Sequence, residues 1–129
     1  MDDKDLARKT KETAQLYFDG VKDEDKPYSL WRHFDKDLAK QMSLYITGTM
    51  YAREKIPHPT RQLVTVGALC AMYRPEELKL HIHAALNVGC SSEEIAEAIF
   101  QTGIYAGVPA CNKALAVLKD VLEEREGSS

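Results

Sequence analysis

Arg61-Gln62-Leu63-Val64-Thr65-Val66-Gly67-Ala68-Leu69-Cys70-Ala71-Met72-Tyr73 decides the fold class of this chain. His58-Pro59-Thr60 precedes it and puts a proline in a first helical turn, and hardly a polar residue follows Thr65. A helix that is apolar on nearly every side is expected to be buried. Gly67, Ala68 and Ala71 are small enough to let a neighbouring helix approach closely, which would offset the roughly 1 kcal/mol that glycine costs against alanine in a helix.

Helical signals continue on both sides. Pro75 opens a segment from Glu76 to Val88 that stops at Gly89, with Glu76 and Glu77 at the positive end of its dipole. Ser91-Ser92-Glu93-Glu94 is a capping box in front of a helix carrying Ile95, Ile99 and Ile104. Gly107-Val108-Pro109 separates that helix from a last one, Ala110 to about Glu124, with Leu115, Leu118 and Leu122 three and four apart, and the tail from Arg125 to Ser129 should fray. Toward the N-terminus, Lys4 to Asp19 places Leu6, Thr13, Leu16 and Tyr17 near one face and ends at Gly20. Lys22 to Pro27 is a charged, solvated connection. From Ser29 to about Arg53, Leu30, Phe34, Leu38, Met42, Tyr45 and Ile46 form one helical stripe, broken or kinked at Gly48. No strand-like alternation occurs, so the expected fold is all-α with about six helices.

A length of 129 residues with 44% apolar content suits one domain, spanning 1–129, with one core. The net charge of −3 gives no basic patch for nucleic acid. No apolar run approaches the ~18 residues of a membrane span, and the start, Met1-Asp2-Asp3-Lys4-Asp5, is charged, so a soluble, cytoplasmic protein without membrane partners is expected. Cys70, Cys90 and Cys111 are too scattered for a disulfide framework or a zinc ribbon and read as buried, reduced thiols.

The densest polar cluster on an apolar stretch is Arg74 to His83. Glu77 and His81 lie four apart on one helical face, whereas His81 and His83 point about 200° apart, so only one histidine can face a given pocket. A carboxylate fixing the tautomer of an imidazole makes a proton donor or acceptor; the alternative is a solvated surface pair. A metal site is not expected, because a third ligand at suitable spacing is missing. Arg61 and Gln62 begin a helix, where a cation and an amide can meet an anionic substrate or simply be hydrated. Tyr105 to Pro109 is a candidate pocket wall, although the helix break alone explains its Gly and Pro; His33 and His58 read as surface or capping residues.

Taken together, Arg61 to Leu69, Glu76 to Gly89, Glu93-Glu94-Ile95 and Tyr105 to Asn112 resemble the carboxymuconolactone decarboxylase family of the alkylhydroperoxidase D-like superfamily, over about Gly48 to Leu122. The resemblance implies an all-α, homo-oligomeric protein, often a trimer or hexamer, with active sites near subunit contacts. The peroxidase branch carries a Cys-x-x-Cys pair at the places held here by Arg74 and Glu77, so its internal disulfide cycle has no thiols to run on. The decarboxylase branch uses no metal or cofactor and acts on a small carboxylated lactone. Carried onto this chain, it implies His81 as donor of a proton or hydrogen bond, Glu77 orienting it, and Arg61, Gln62 and Tyr105 on the substrate. A Trp-Gly-Glu-x-Trp-like segment of the decarboxylases is replaced by Thr47-Gly48-Thr49-Met50-Tyr51, which lacks the first aromatic and the carboxylate and points to an altered substrate or a lost activity. Two other readings stand beside the lyase: a single-cysteine thiol protein acting through Cys70, and a non-catalytic oligomeric binding protein.

Overall fold

The computed structural model describes residues 2–127. These residues form helices and connecting turns: α1 (Asp3–Phe18), a 3₁₀ turn (Asp23–Asp25), α2 (Pro27–Phe34), α3 (Lys36–Ser43) running into a π-helical segment (Leu44–Tyr51), then α4 (His58–Ala71), α5 (Pro75–Asn87), α6 (Ser92–Ala106) and α7 (Val108–Gly127). The all-α expectation holds, with one more break than the stripe suggested.

That break is at Asp35, whose extended backbone (φ −158°, ψ 105°) ends α2 while its carboxylate accepts from the Leu38 amide at 2.9 Å and caps α3. Gly48, the residue expected to break the helix, sits inside the π-helical segment instead. Elsewhere the local signals act as read. Ser91 Oγ accepts from Glu94 N at 3.0 Å while Ser91 N donates to Glu94 Oε1 at 2.8 Å, completing the capping box. Gly107 turns the chain from α6 to α7 at φ +101°, a conformation closed to most side chains.

Helices α4 to α7 enclose the core. Val66 and Cys70 from α4 meet Leu78, Ile82 and Ala85 from α5, Ile95 and Ile99 from α6, and Ala114, Leu118 and Val121 from α7. Gly67 serves as expected: a Cβ there would stand 3.1 Å from Thr102 Oγ1 of α6. The expectation that α4 is buried all round is overturned, because Val64, Ala68, Ala71 and Met72 are exposed. Likewise the stripe along α2, α3 and the π-helical segment leaves Leu30, Leu38, Tyr45 and, at 80%, Phe34 open to solvent. Helix periodicity marks an apolar face without saying whether the covering surface belongs to the same chain.

Helix α1 packs on the π-helical segment and on α5. The approach depends on Gly48, where an added Cβ would fall 2.0 Å from Thr10 Oγ1, itself tied to the Leu6 carbonyl at 2.7 Å. Gly48→Ala should therefore lower the urea midpoint by the equivalent of about 1–3 kcal/mol, the usual cost of overpacking. An unchanged midpoint would contradict the close approach.

Candidate active site

Two helices start the site. Proline in the first turn of α4 and of α5 sets their directions, and their contact brings Gln62 of α4 to His81 of α5: His81 Nδ1 and Gln62 Oε1 are 3.1 Å apart. Tyr51, from the π-helical segment, stacks on the His81 ring at 5.7 Å between centroids and 23° between planes, and Phe18 of α1 meets it edge-on. Segments of π-helix often re-aim a side chain at functional sites, and this one ends on the residue that covers His81.

Packed this way, the His81 imidazole loses hydration, and burial pushes its pKa down to about 4. The ring is neutral at neutral pH. With Gln62 Oε1 as acceptor, Nδ1 carries the proton, which leaves Nε2 as the ring nitrogen without a partner among the described residues. His81 and Tyr51 line a cavity of about 700 Å³ between α1, α2 and the π-helical segment. Its wall mixes aromatic rings, among them Phe18, Tyr28 and Trp31, with the cations Lys11, Lys26, Arg32 and Lys40, against one carboxylate, Asp23, already paired to Lys26 at 3.3 Å.

Behind His81, Tyr17 is fully buried. Its hydroxyl contacts His58 Nδ1, and the Tyr51 carbonyl lies at 3.4 Å. Burial raises the Tyr17 pKa to about 12, with Arg61 and Gln62 pulling the other way. Tyr51 OH donates to Thr65 Oγ1 at 3.0 Å, because the single Thr65 proton is given to the Arg61 carbonyl. Asn87 fastens the end of α1 by donating to the carbonyls of Tyr17 (2.8 Å) and Asp19 (2.9 Å).

Of the residues singled out from the sequence, His81 and Gln62 meet. Glu77 does not join them: it is exposed, and the hydrogen bond to the imidazole comes from Gln62. A carboxylate in the first turn of α5 is well solvated and favoured by the helix dipole, so it has no cause to fold back. Tyr105 is 84% exposed and outside the cavity. Arg61 lies beside Tyr17 rather than on the cavity wall, with Nη2 donating to the Arg53 carbonyl at 3.1 Å. Tyr17, Tyr51 and His58 were missed as partners; Tyr51 had one signal, an aromatic kept at the last place of the altered Thr47–Tyr51 segment. Cys70 and Cys90 are buried as expected while Cys111 is only partly so, and burial raises the thiol pKa values of Cys70 and Cys90, the latter to about 11, away from the thiolate that redox chemistry needs. Among the described residues no three His, Cys, Asp or Glu side chains converge as a metal site, and no helix is long and apolar enough to cross a membrane.

An all-helical chain with a neutral histidine on an aromatic, cation-lined cavity is the class of protein defined here. The chain belongs to the carboxymuconolactone decarboxylase family, whose model matches residues 36–120. It is 34% identical to 4-carboxymuconolactone decarboxylase of Acinetobacter baylyi over 91 residues, covering 70% of this chain and 68% of that one. It is 31% identical to nitrosuccinic acid decarboxylase of Metarhizium robertsii over 77 residues, 60% of this chain and 54% of the relative. A 15.0 kDa Paracoccus denitrificans protein encoded between nqo9 and nqo10 is 37% identical over 82 residues, 61% of this chain and 60% of its own length.

The buried histidine has a consequence for stability. Between pH 6.5 and about 4 the unfolded chain binds a proton at His81 that the folded chain refuses. Stability from this source is therefore present above pH 6.5 and lost as pH falls toward 4, by at most about 3 kcal/mol. Urea unfolding at pH 7 and pH 4.5 should show a larger loss for the native protein than for His81→Asn. Equal losses would contradict the burial of the ring.

Proposed function

We propose that this protein is a cofactor-independent carboxy-lyase acting on a small carboxylated lactone or related acid. The observation that carries the reading is the neutral His81 on a cavity wall that also holds four cations and one carboxylate. Such a lining attracts carboxylates, and a volume of about 700 Å³ is ample for a small lactone. The family relatives named as decarboxylases support the reaction class.

The chemistry follows from charge. An anionic substrate beside His81 favours the imidazolium, so the ring takes up a proton with the substrate. Carbon–carboxylate cleavage releases carbon dioxide and leaves its electron pair delocalised onto the lactone carbonyl as a dienolate, whose oxygen charge the cavity cations stabilise. His81 then gives its Nε2 proton to carbon and returns to the neutral form, so one solvent proton is consumed per carbon dioxide released. Gln62 Oε1 holds the opposite face of the ring throughout.

Carbon dioxide release from 4-carboxymuconolactone tests this directly. The native protein should turn over, and His81→Ala should lose at least about 100-fold in kcat, the usual contribution of a positioned general acid. Full turnover by the variant would remove His81 from the mechanism, and no turnover by the native protein with this or related carboxylated lactones would remove the lyase reading.

The exposed apolar faces bear on assembly. Val64 of α4, Met72 just past its end, and Phe100, Ile104 and Tyr105 of α6 all stand open, a clustering that monomeric proteins avoid. As part of the same proposal, further copies of this chain cover that face, in a trimer or hexamer, as family resemblance implies. Sedimentation equilibrium should return a multiple of the 14.5 kDa chain mass, and Ile104→Lys should reduce it; a monomer at micromolar concentration would contradict the assembly.

A further inference from the structure

The last carbonyls of a helix have no partner within it, and such an end frays unless donors from elsewhere reach them. The end of α1 is held at three successive carbonyls. Asn87 Nδ2 donates to the Tyr17 carbonyl at 2.8 Å and to the Asp19 carbonyl at 2.9 Å, and the Val21 amide donates to the Phe18 carbonyl at 3.0 Å. Phe18, the last residue of α1, therefore sits between two carbonyls that one side chain at the end of α5 holds. Its ring meets His81 edge-on, at 6.3 Å between centroids and 76° between planes, and lines the cavity.

Asn87 can hold two carbonyls only with its nitrogen, so its oxygen must face away from α1. That oxygen is met from α7: Arg125 Nη2 donates to Asn87 Oδ1 at 3.1 Å, while Arg125 Nη1 donates to His83 Nδ1 at 3.1 Å. A guanidinium only donates, so His83 takes this bond through a bare Nδ1 and turns Nε2 toward Glu124 Oε2 at 3.5 Å. The fork of Arg125 thus spans two residues one turn apart on α5 and leaves the Asn87 amide one orientation. Both α1 and Arg125 lie outside the residues 36–120 that match the family, and neither Asn87 nor Arg125 lines the cavity.

We infer that Asn87 is a positioning residue: oriented by Arg125, it pins the last turn of α1 so that the Phe18 ring stays against the His81 imidazole and keeps water from it. The inference rests on the reading of His81 as the group that meets substrate. Exclusion of water is what holds that ring neutral, so hydrogen bonds that never reach the cavity govern the state in which the imidazole meets an anion.

The His81 Cε1 proton, followed by NMR against pH and assigned by its absence from His81→Asn, reads the ring directly. Native protein should titrate with a midpoint of about 4. Asn87→Ala, which adds no charge, should raise that midpoint by at least about one pH unit as water reaches the ring. Phe18→Leu should do the same, and the two changes together should give little more than either alone, because one acts through the other. Ile99→Val loosens the α4–α7 core instead and should leave the midpoint where it is. Should Asn87→Ala not fold, Asn87→Gln carries a neutral amide one methylene further out, off register with the two carbonyls, and is read in the same way. An unmoved midpoint in the folded Asn87 variant, shifts from Asn87 and Phe18 that add in full, or an equal shift in Ile99→Val would overturn the inference. The titration needs no turnover: the expected shifts without decarboxylation count against the lyase alone, and decarboxylation with a midpoint indifferent to Asn87 counts against the positioning role alone.

Discussion

The hydrogen bond between Gln62, which is fully buried, and the part-buried His81 joins the two helices on which the site depends. Desolvation removes the charge from the ring, and a neutral ring needs a partner to choose which nitrogen carries its proton. Tyr51 supplies the stacked cover and Phe18 the edge, while Tyr17 behind them holds His58 and meets the Tyr51 carbonyl. Each of these comes from the N-terminal half, which explains why helices that add little to the α4–α7 core are held so closely: Gly48 admits α1, and Asn87 clamps its end.

The cavity turns that arrangement toward chemistry. Its cations raise the local concentration of anions, while the aromatic wall favours the flat, unsaturated part of a small acid. Under the proposed function, an imidazole kept neutral until an anion arrives gains its proton only in the complex. In the proposed mechanism, the same burial that makes the empty site sensitive to acid would make the occupied one a source of protons.

Local signals in the sequence accounted well for local structure. Ser91 and Glu94 make both bonds of the capping box, and Gly107 takes the backbone conformation that separates α6 from α7. Asp35 shows where periodicity misled: a capping carboxylate interrupted a stripe that counts of three and four carried straight through. Glu77 shows the same for the site. Spacing placed it on the His81 face, but tertiary packing gave the ring to Gln62, 19 residues away. Tyr17 and His58 are 41 residues apart, and no spacing rule spans such a distance. The exposed stripes of α2, α4 and α6 were legible as apolar faces and not as faces open to solvent, because the pattern is identical whether a neighbouring helix or another chain covers it.

The claim that ties fold to function is that His81 is neutral in the free protein and charged in the complex. Titration calorimetry at pH 7 with a saturated, dicarboxylated lactone that cannot lose carbon dioxide, repeated in buffers of different ionisation enthalpy, counts the protons taken up on binding. The account predicts uptake close to one proton per site in the native protein and none in His81→Asn. Binding with no proton uptake in the native protein would contradict it.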